Sequence, residues 1–183
     1  MGAAGSPDFG TEKMPPEVRE LLAADGEDLG PLSEFLERAA QQPDALAAFY
    51  RWTELLRRSL PLRLVETIEL TVVAHIRGDL DEADCERRGS RDGLSTEEIG
   101  ALRQLRAGSC PSFDDSEVAS AALARCLLDD FGRGCDSAVL RLSRLIGEAA
   151  TTACLMLVVR EVAQATLANA WGLGPNRRRG RGS

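Results

Sequence analysis

Ser59-Leu-Pro-Leu-Arg-Leu-Val-Glu-Thr-Ile-Glu-Leu-Thr-Val-Val-Ala-His-Ile76 is the stretch from which this chain is best read. Ser59-Leu60-Pro61 opens the longest apolar stretch, Leu62–Ile76. Placed at 100° per residue, that stretch leaves almost no polar arc. A helix that is apolar all round has no solvent face, so this one is expected to be buried on most sides. Gly78 breaks it.

Outward from that helix, residues 79–91 read as a charged helix closed by Asp92-Gly93. Ser95-Thr-Glu-Glu98 is a capping box: the serine side chain takes an orphan N–H while the glutamate reaches back to the serine N–H. It starts a helix running to about Leu105. Residues 111–115 form a loop, 116–131 and 136–142 two further helices, and 145–171 a long apolar helix stopped by Gly172 and Gly174-Pro175. Upstream, 15–24, 32–40 and 44–56 read as helices, the last with Leu46, Phe49, Trp52 and Leu56 at helical spacing. Residues 1–14 and the Arg-rich tail 175–183 are expected to be disordered. There is no strand signal and no solenoid-length repeat. The expectation is an all-α chain with a single helical domain over residues 15–174.

Composition agrees. A chain of 183 residues suffices for one domain with a core, and a hydrophobic fraction of 44% with only 4% aromatics favours helices over sheet. The formal charge of −7 argues against nucleic acid as a partner, because phosphate binding needs a basic surface. No apolar run is long enough to cross a bilayer and no signal peptide is evident, so the expected location is cytoplasmic, without a membrane partner. A single lysine, Lys13, beside many arginines points to a GC-rich bacterial genome. Cys85, Cys110, Cys126, Cys135 and Cys154 show no regular spacing and are expected to be free thiols in a reducing cytosol.

Leu60-Pro-Leu-Arg-Leu-Val-Glu66 has the form leucine-proline-x-arginine-leucine-x-glutamate at the head of an apolar helix. A small turn follows, then Gly93-Leu-Ser-Thr-Glu-Glu-Ile99, and Leu167-Ala-Asn-Ala-Trp-Gly-Leu173 closes the last helix. In this order and spacing the chain resembles the AhpD-like / carboxymuconolactone decarboxylase family over roughly residues 30–174. The resemblance implies an AhpD-like helical bundle that forms a homo-oligomer, a trimer or hexamer. Carried over one position at a time, the family's proton-relay glutamate falls on Glu66 and its first motif cysteine on Gly78. The second, often an acid in the decarboxylase branch, falls on Asp81, and the motif histidine on Cys85. The aromatic and asparagine near the end of the family's last helix fall on Glu161 and Val162. A thiol peroxidase needs one cysteine to attack and another to resolve. Neither motif cysteine is present, so that chemistry is not expected here.

Read as residues, Glu66 shares an ideal-helix face with Leu70, Val73 and Arg77. Burial disfavours the charged carboxylate and raises its pKa toward the range of a general acid or base. The plainer reading is a structural carboxylate paired with Arg63 or Arg77. Asp81, Cys85 and Arg88 are spaced i, i+4, i+7 and share one helix face. A thiol, with a free pKa of about 8.5, replaces imidazole poorly as a base. Asp81 would raise that pKa and Arg88 would lower it, so a reactive thiolate and an inert buried cysteine both stay open. Asp81 reads equally as a solvated acid at a helix start.

His75, the single histidine, points about 180° from Glu66, which favours a core or interface role over contact with substrate. One histidine with no Cys or acid cluster at ligand spacing gives no expectation of zinc or iron. Arg160, Glu161 and Gln164 interrupt the last apolar helix, and buried polar groups need partners. Either they pair across a subunit contact, or Arg160 receives a substrate carboxylate with Gln164 beside it.

These readings lead to an expected cofactor-free enzyme of the carboxymuconolactone decarboxylase type. It would decarboxylate or isomerise a small organic acid, lactone or polyketide-like molecule. Glu66 would move the proton, Asp81 and Cys85 would line the pocket, and Arg160 would anchor a carboxylate. Two rivals stand beside it: a non-catalytic binding or assembly protein on the same fold, and a thiol-dependent antioxidant using Cys85 with a distant partner such as Cys154.

Overall fold

The structure, a computed structural model, describes Pro16, residues 31–76 and residues 82–173. Among the described residues all regular structure is helical: α1 Pro31–Ala39, α2 Pro43–Arg58, α3 Leu62–Ile76, α4 Glu82–Arg91 and α5 Thr96–Arg103. A 3-10 turn, Ala107–Ser109, leads to α6 Asp115–Asp129, α7 Asp136–Ile146 and α8 Glu148–Trp171. The chain is thus all-α. It divides into two compact units, Met1–Trp52 and Thr53–Ser183, with the boundary inside α2. Apart from Pro16, the helix expected at 15–24 lies outside the described residues, as do the ends 1–14 and 175–183.

In the first unit, Phe35 and Leu36 of α1 are buried, and Arg38 pairs with Glu34 one turn back at 3.0 Å. The rings of Phe49 and Trp52 meet edge to face. The second unit is organised around α3. Ten consecutive residues, from Leu64 to Val73, are buried, as a helix without a polar arc requires. Helices α4, α5, α6 and α8 pack on it, and α7 packs on α6 and α8. Leu70, Val73, Cys85, Leu94, Ile99 and Leu102 make the core beside α4 and α5.

Two capping boxes start the helices that cover α3: Ser95 with Glu98 on α5, and Asp114 with Glu117 on α6. One arginine holds both glutamates. Arg63 Nε donates to Glu117 at 2.8 Å and Nη2 to Glu98 at 2.7 Å, while Nη1 donates to the Gly93 carbonyl at 2.5 Å. Arg63 is therefore not the partner of Glu66, contrary to one expectation.

The helix boundaries between residues 129 and 148 differ from the sequence reading. Helix α6 stops at Asp129 instead of running to Phe131, because Phe131 (φ 50°) and Gly132 (φ 81°) turn the chain back. Helix α7 continues to Ile146 instead of ending at Leu142, and Gly147 (φ 85°) makes the corner into α8. Left-handed backbone of that kind favours glycine, which is why the break sits there and not among the leucines before it.

The expectation of five free thiols is corrected. Cys126 in the last turn of α6 and Cys135 at the start of α7 form a disulfide, their Cα atoms 5.8 Å apart, because the reversal at 131–134 brings the helix ends together. Cys85, Cys110 and Cys154 are buried and stand outside the disulfide. The view that no apolar run has membrane-spanning length is also corrected: α8 spans 24 residues and passes by length and composition. Half of its apolar window is buried inside the fold.

Candidate functional site

Glu66 and Glu69 lie three residues apart on α3 and so point to the same side of it. Both are buried, at 0% and 1% exposure. Two arginines from flanking helices meet them there. Arg57, from the last turn of α2, donates Nη2 to Glu66 Oε1 at 2.5 Å and Nη1 to Glu69 Oε1 at 2.5 Å. Arg88, from α4, donates Nη2 to Glu69 Oε2 at 2.6 Å, and its Nε lies 3.9 Å from Glu66 Oε2. The same Nη2 reaches Cys85 Sγ at 3.2 Å. Asp92 Oδ2 stands 3.8 Å from Arg57.

The result is two carboxylates, two guanidinium groups and a thiol in one cluster. Its carboxylates are dry, while Arg57 and Arg88 are 21% and 24% exposed. Burial is the main force on Glu66, and the Glu69 charge adds to it; Arg88 and Arg57 oppose both. The net effect pushes the Glu66 carboxyl up to about 7. Burial also works against the Arg57 charge, but Glu69 and Glu66 outweigh it and hold that pKa above its ordinary value. Glu66 Oε1 is bonded, whereas Oε2 is buried with no hydrogen-bond partner among the described residues. A buried oxygen of that kind is the natural seat of a proton or of a ligand's donor.

Of the residues expected in a site, the structure brings Glu66 and Cys85 together through Arg88. Asp81, Arg77 and Gly78 lie outside the described residues. His75 is elsewhere: its Nε2 faces Asp129 Oδ1 of α6 at 3.4 Å. Arg160 and Gln164 form a separate buried knot. Arg160 Nε donates to Thr53 Oγ1 at 2.8 Å, Nη2 donates to Gln164 Oε1 at 2.6 Å, and Nη1 donates to Glu161. Their partners therefore come from the same chain, where the sequence reading looked to a subunit contact or a substrate carboxylate. Thr53, nine residues before Leu62, is the acceptor that reading lacked.

Glu69, Arg57 and Asp92 were missed. A second acid three residues after Glu66 in an apolar helix was a visible signal, since one buried carboxylate is rare and two on one face demand cations. Cys154 is buried, and that burial pushes its thiol up to about 12, so it is a poor nucleophile near neutrality. Two cavities of about 170 and 200 Å³ are present among the described residues, and Glu66 lines neither. In comparisons with known proteins, no family model, no curated protein and no solved structure matches this chain.

Proposed function

We propose that the chain is a cofactor-free proton-transfer enzyme on an AhpD-like helical fold. Its substrate is a small organic acid, lactone or polyketide-like molecule, and its reaction a decarboxylation or an isomerisation. The observation that carries this reading is Glu66 Oε2: buried, without a hydrogen-bond partner among the described residues, and part of a carboxyl group that is half-protonated near neutrality. A general acid or base works best when its pKa lies near the working pH. In isomerisation, Glu66 takes a proton from the carbon beside a carbonyl and the C–H electron pair moves into the carbonyl as an enolate. The guanidinium groups of Arg57 and Arg88 offset that negative charge, and Glu66 returns the proton to another carbon. In decarboxylation the electron pair of the lost C–C bond forms the enolate, and protonated Glu66 quenches it. Cys85 rests on Arg88 and tunes its position. By the family resemblance, Asp81 is the acid at the second motif position and the working form is a trimer or hexamer; the proposed location, from the sequence, is cytoplasmic.

The test is hydrogen–deuterium exchange at the α-carbon of small lactones and β-keto acids in heavy water, followed by NMR. Wild type is expected to exceed buffer, and Glu66→Gln to lose about 10²–10⁴-fold while keeping its helical spectrum. No exchange by wild type, or full exchange by the variant, overturns the proposal.

A second reading is a non-catalytic binding or assembly protein. It is favoured by the fact that Arg57 and Arg88 already hold Glu66 and Glu69. On that reading Glu66→Gln alters no activity at all.

A further inference from the structure

The cavity of about 170 Å³ lies among α3, α5, the 3-10 turn and α6, away from the Glu66 cluster. Its buried lining includes Thr71, Leu102 and Ala121, and its more exposed lining Leu105, Ala122 and Arg125. The Thr71 hydroxyl donates to the Thr67 carbonyl at 2.7 Å, so it is committed inside α3. The floor is therefore apolar. Among the described residues, Arg125 is the one charged side chain in the lining.

The mouth is built at a cost. Helix α5 ends with the Arg106 N–H bonded to the Ala101 carbonyl at 2.8 Å, a closure that needs left-handed backbone at the residue between. Glycine usually fills that position. Here it is Leu105, at φ 56°, a conformation that disfavours a branched side chain. What leucine supplies and glycine does not is a wall for the cavity. Its carbonyl also accepts a bond from Arg125 Nη1 at 3.1 Å, which ties the guanidinium to the rim. A guanidinium has five N–H donors in a planar fork, so one such bond leaves donors for a carboxylate. Apolar cavities of roughly 150 Å³ hold a benzene ring.

We propose that this cavity binds a small aromatic monocarboxylate, with its ring on Leu102 and Ala121 and its carboxylate on Arg125. The site does not rest on the catalytic reading of Glu66. It is tested on the full chain with benzoate, watched through the methyl NMR signals of Leu102, Leu105 and Val118. Saturable shifts confined to these methyls are expected. Arg125→Gln should weaken binding about tenfold, and benzyl alcohol, which keeps the ring without the charge, should bind wild type about tenfold more weakly than benzoate. Ala122→Leu fills the open side from an exposed helical position, so it should abolish binding with its thermal melt unchanged. Glu66→Gln should bind benzoate as wild type does. The proposal is overturned if wild type shows no saturable shifts, if Ala122→Leu binds normally, or if Arg125→Gln and benzyl alcohol show no loss.

Discussion

Glu66 is pulled by opposing forces of which burial and the Glu69 charge win, and the outcome has a consequence for stability as well as for chemistry. Its pKa stands near 7 in the folded chain, above the ordinary carboxylate value of 4.5. Between those two values the folded chain binds a proton that the unfolded chain has released. The stabilising contribution is therefore complete below the ordinary value and is lost as pH rises through about 7. Glu98 behaves in the reverse sense. Burial opposes its charge, but Arg63 and the Ser95 backbone N–H hold its carboxyl down at about 2, so its contribution is present above the ordinary carboxylate range and is lost as pH falls through about 2. Urea midpoints measured from pH 5 to pH 8 should fall for wild type relative to Glu66→Gln, which has no proton to lose at that position. Parallel curves for the two proteins across this window would mean that the Glu66 carboxyl titrates as it does in water.

Arg63 ties the starts of two helices to α3, and that joint bears the load at the level of elements. Its removal leaves Glu98 and Glu117, each largely buried, without their cation. Breaking a fully buried pair costs about 3–5 kcal/mol; Arg63 is itself 35% exposed, so roughly 2 kcal/mol is expected of Arg63→Gln. For a chain of this size that is a fall in Tm of about 4–8 °C, readable by calorimetry, and an unchanged Tm would show the clamp to be decorative. The α6–α7 corner carries a second joint. Cys126 and Cys135 are separated by 9 in sequence, and closing a loop of that length stabilises by about 2–3 kcal/mol through the unfolded chain. A dithiol reductant and Cys126→Ser should each lower Tm, and by the same amount; a melt indifferent to both would mean that the two thiols do not pair.

The elements themselves were legible. Ser95-Thr-Glu-Glu98 marked the start of α5, and Gly172 the end of α8, because both signals are local chemistry of a helix terminus. Asp114-x-x-Glu117 carries the same signal with an aspartate in place of serine, but the sequence reading takes it as part of a loop. What joins the elements was not legible: Arg63 finds Glu117 across 54 positions and Glu98 across 35, and no periodicity records a meeting of that kind.

At the scale of the whole molecule, α3 could be placed at the centre from residue types alone, because only burial tolerates a helix without a polar arc. The cluster around Glu66 was half legible. Its carboxylate was visible, but Arg57 belongs to a helix before the decisive stretch and Arg88 to one after it, so the pairing depends on how three helices pack. Helix α8 presents the converse case, an outward face that no neighbour among the described residues explains. Thr152, Met156, Val159, Thr166 and Leu167 are exposed along it at helical spacing, and none carries a charge. Met156, Val159 and Leu167 retain 42%, 51% and 43% of their exposure. A contiguous uncharged stripe over about four turns is the surface on which the proposed trimer or hexamer would close, each copy covering the stripe of another. Val159 sits at its middle, so Val159→Glu places a charge in every such contact while leaving the interior of the protomer untouched. Light scattering on a sizing column should give a multiple of the 19.7 kDa chain for wild type and a lower mass for the variant, with equal helicity by circular dichroism. A wild-type protein that elutes at the mass of one chain, or a variant that keeps the full assembled mass, removes this face as the site of assembly.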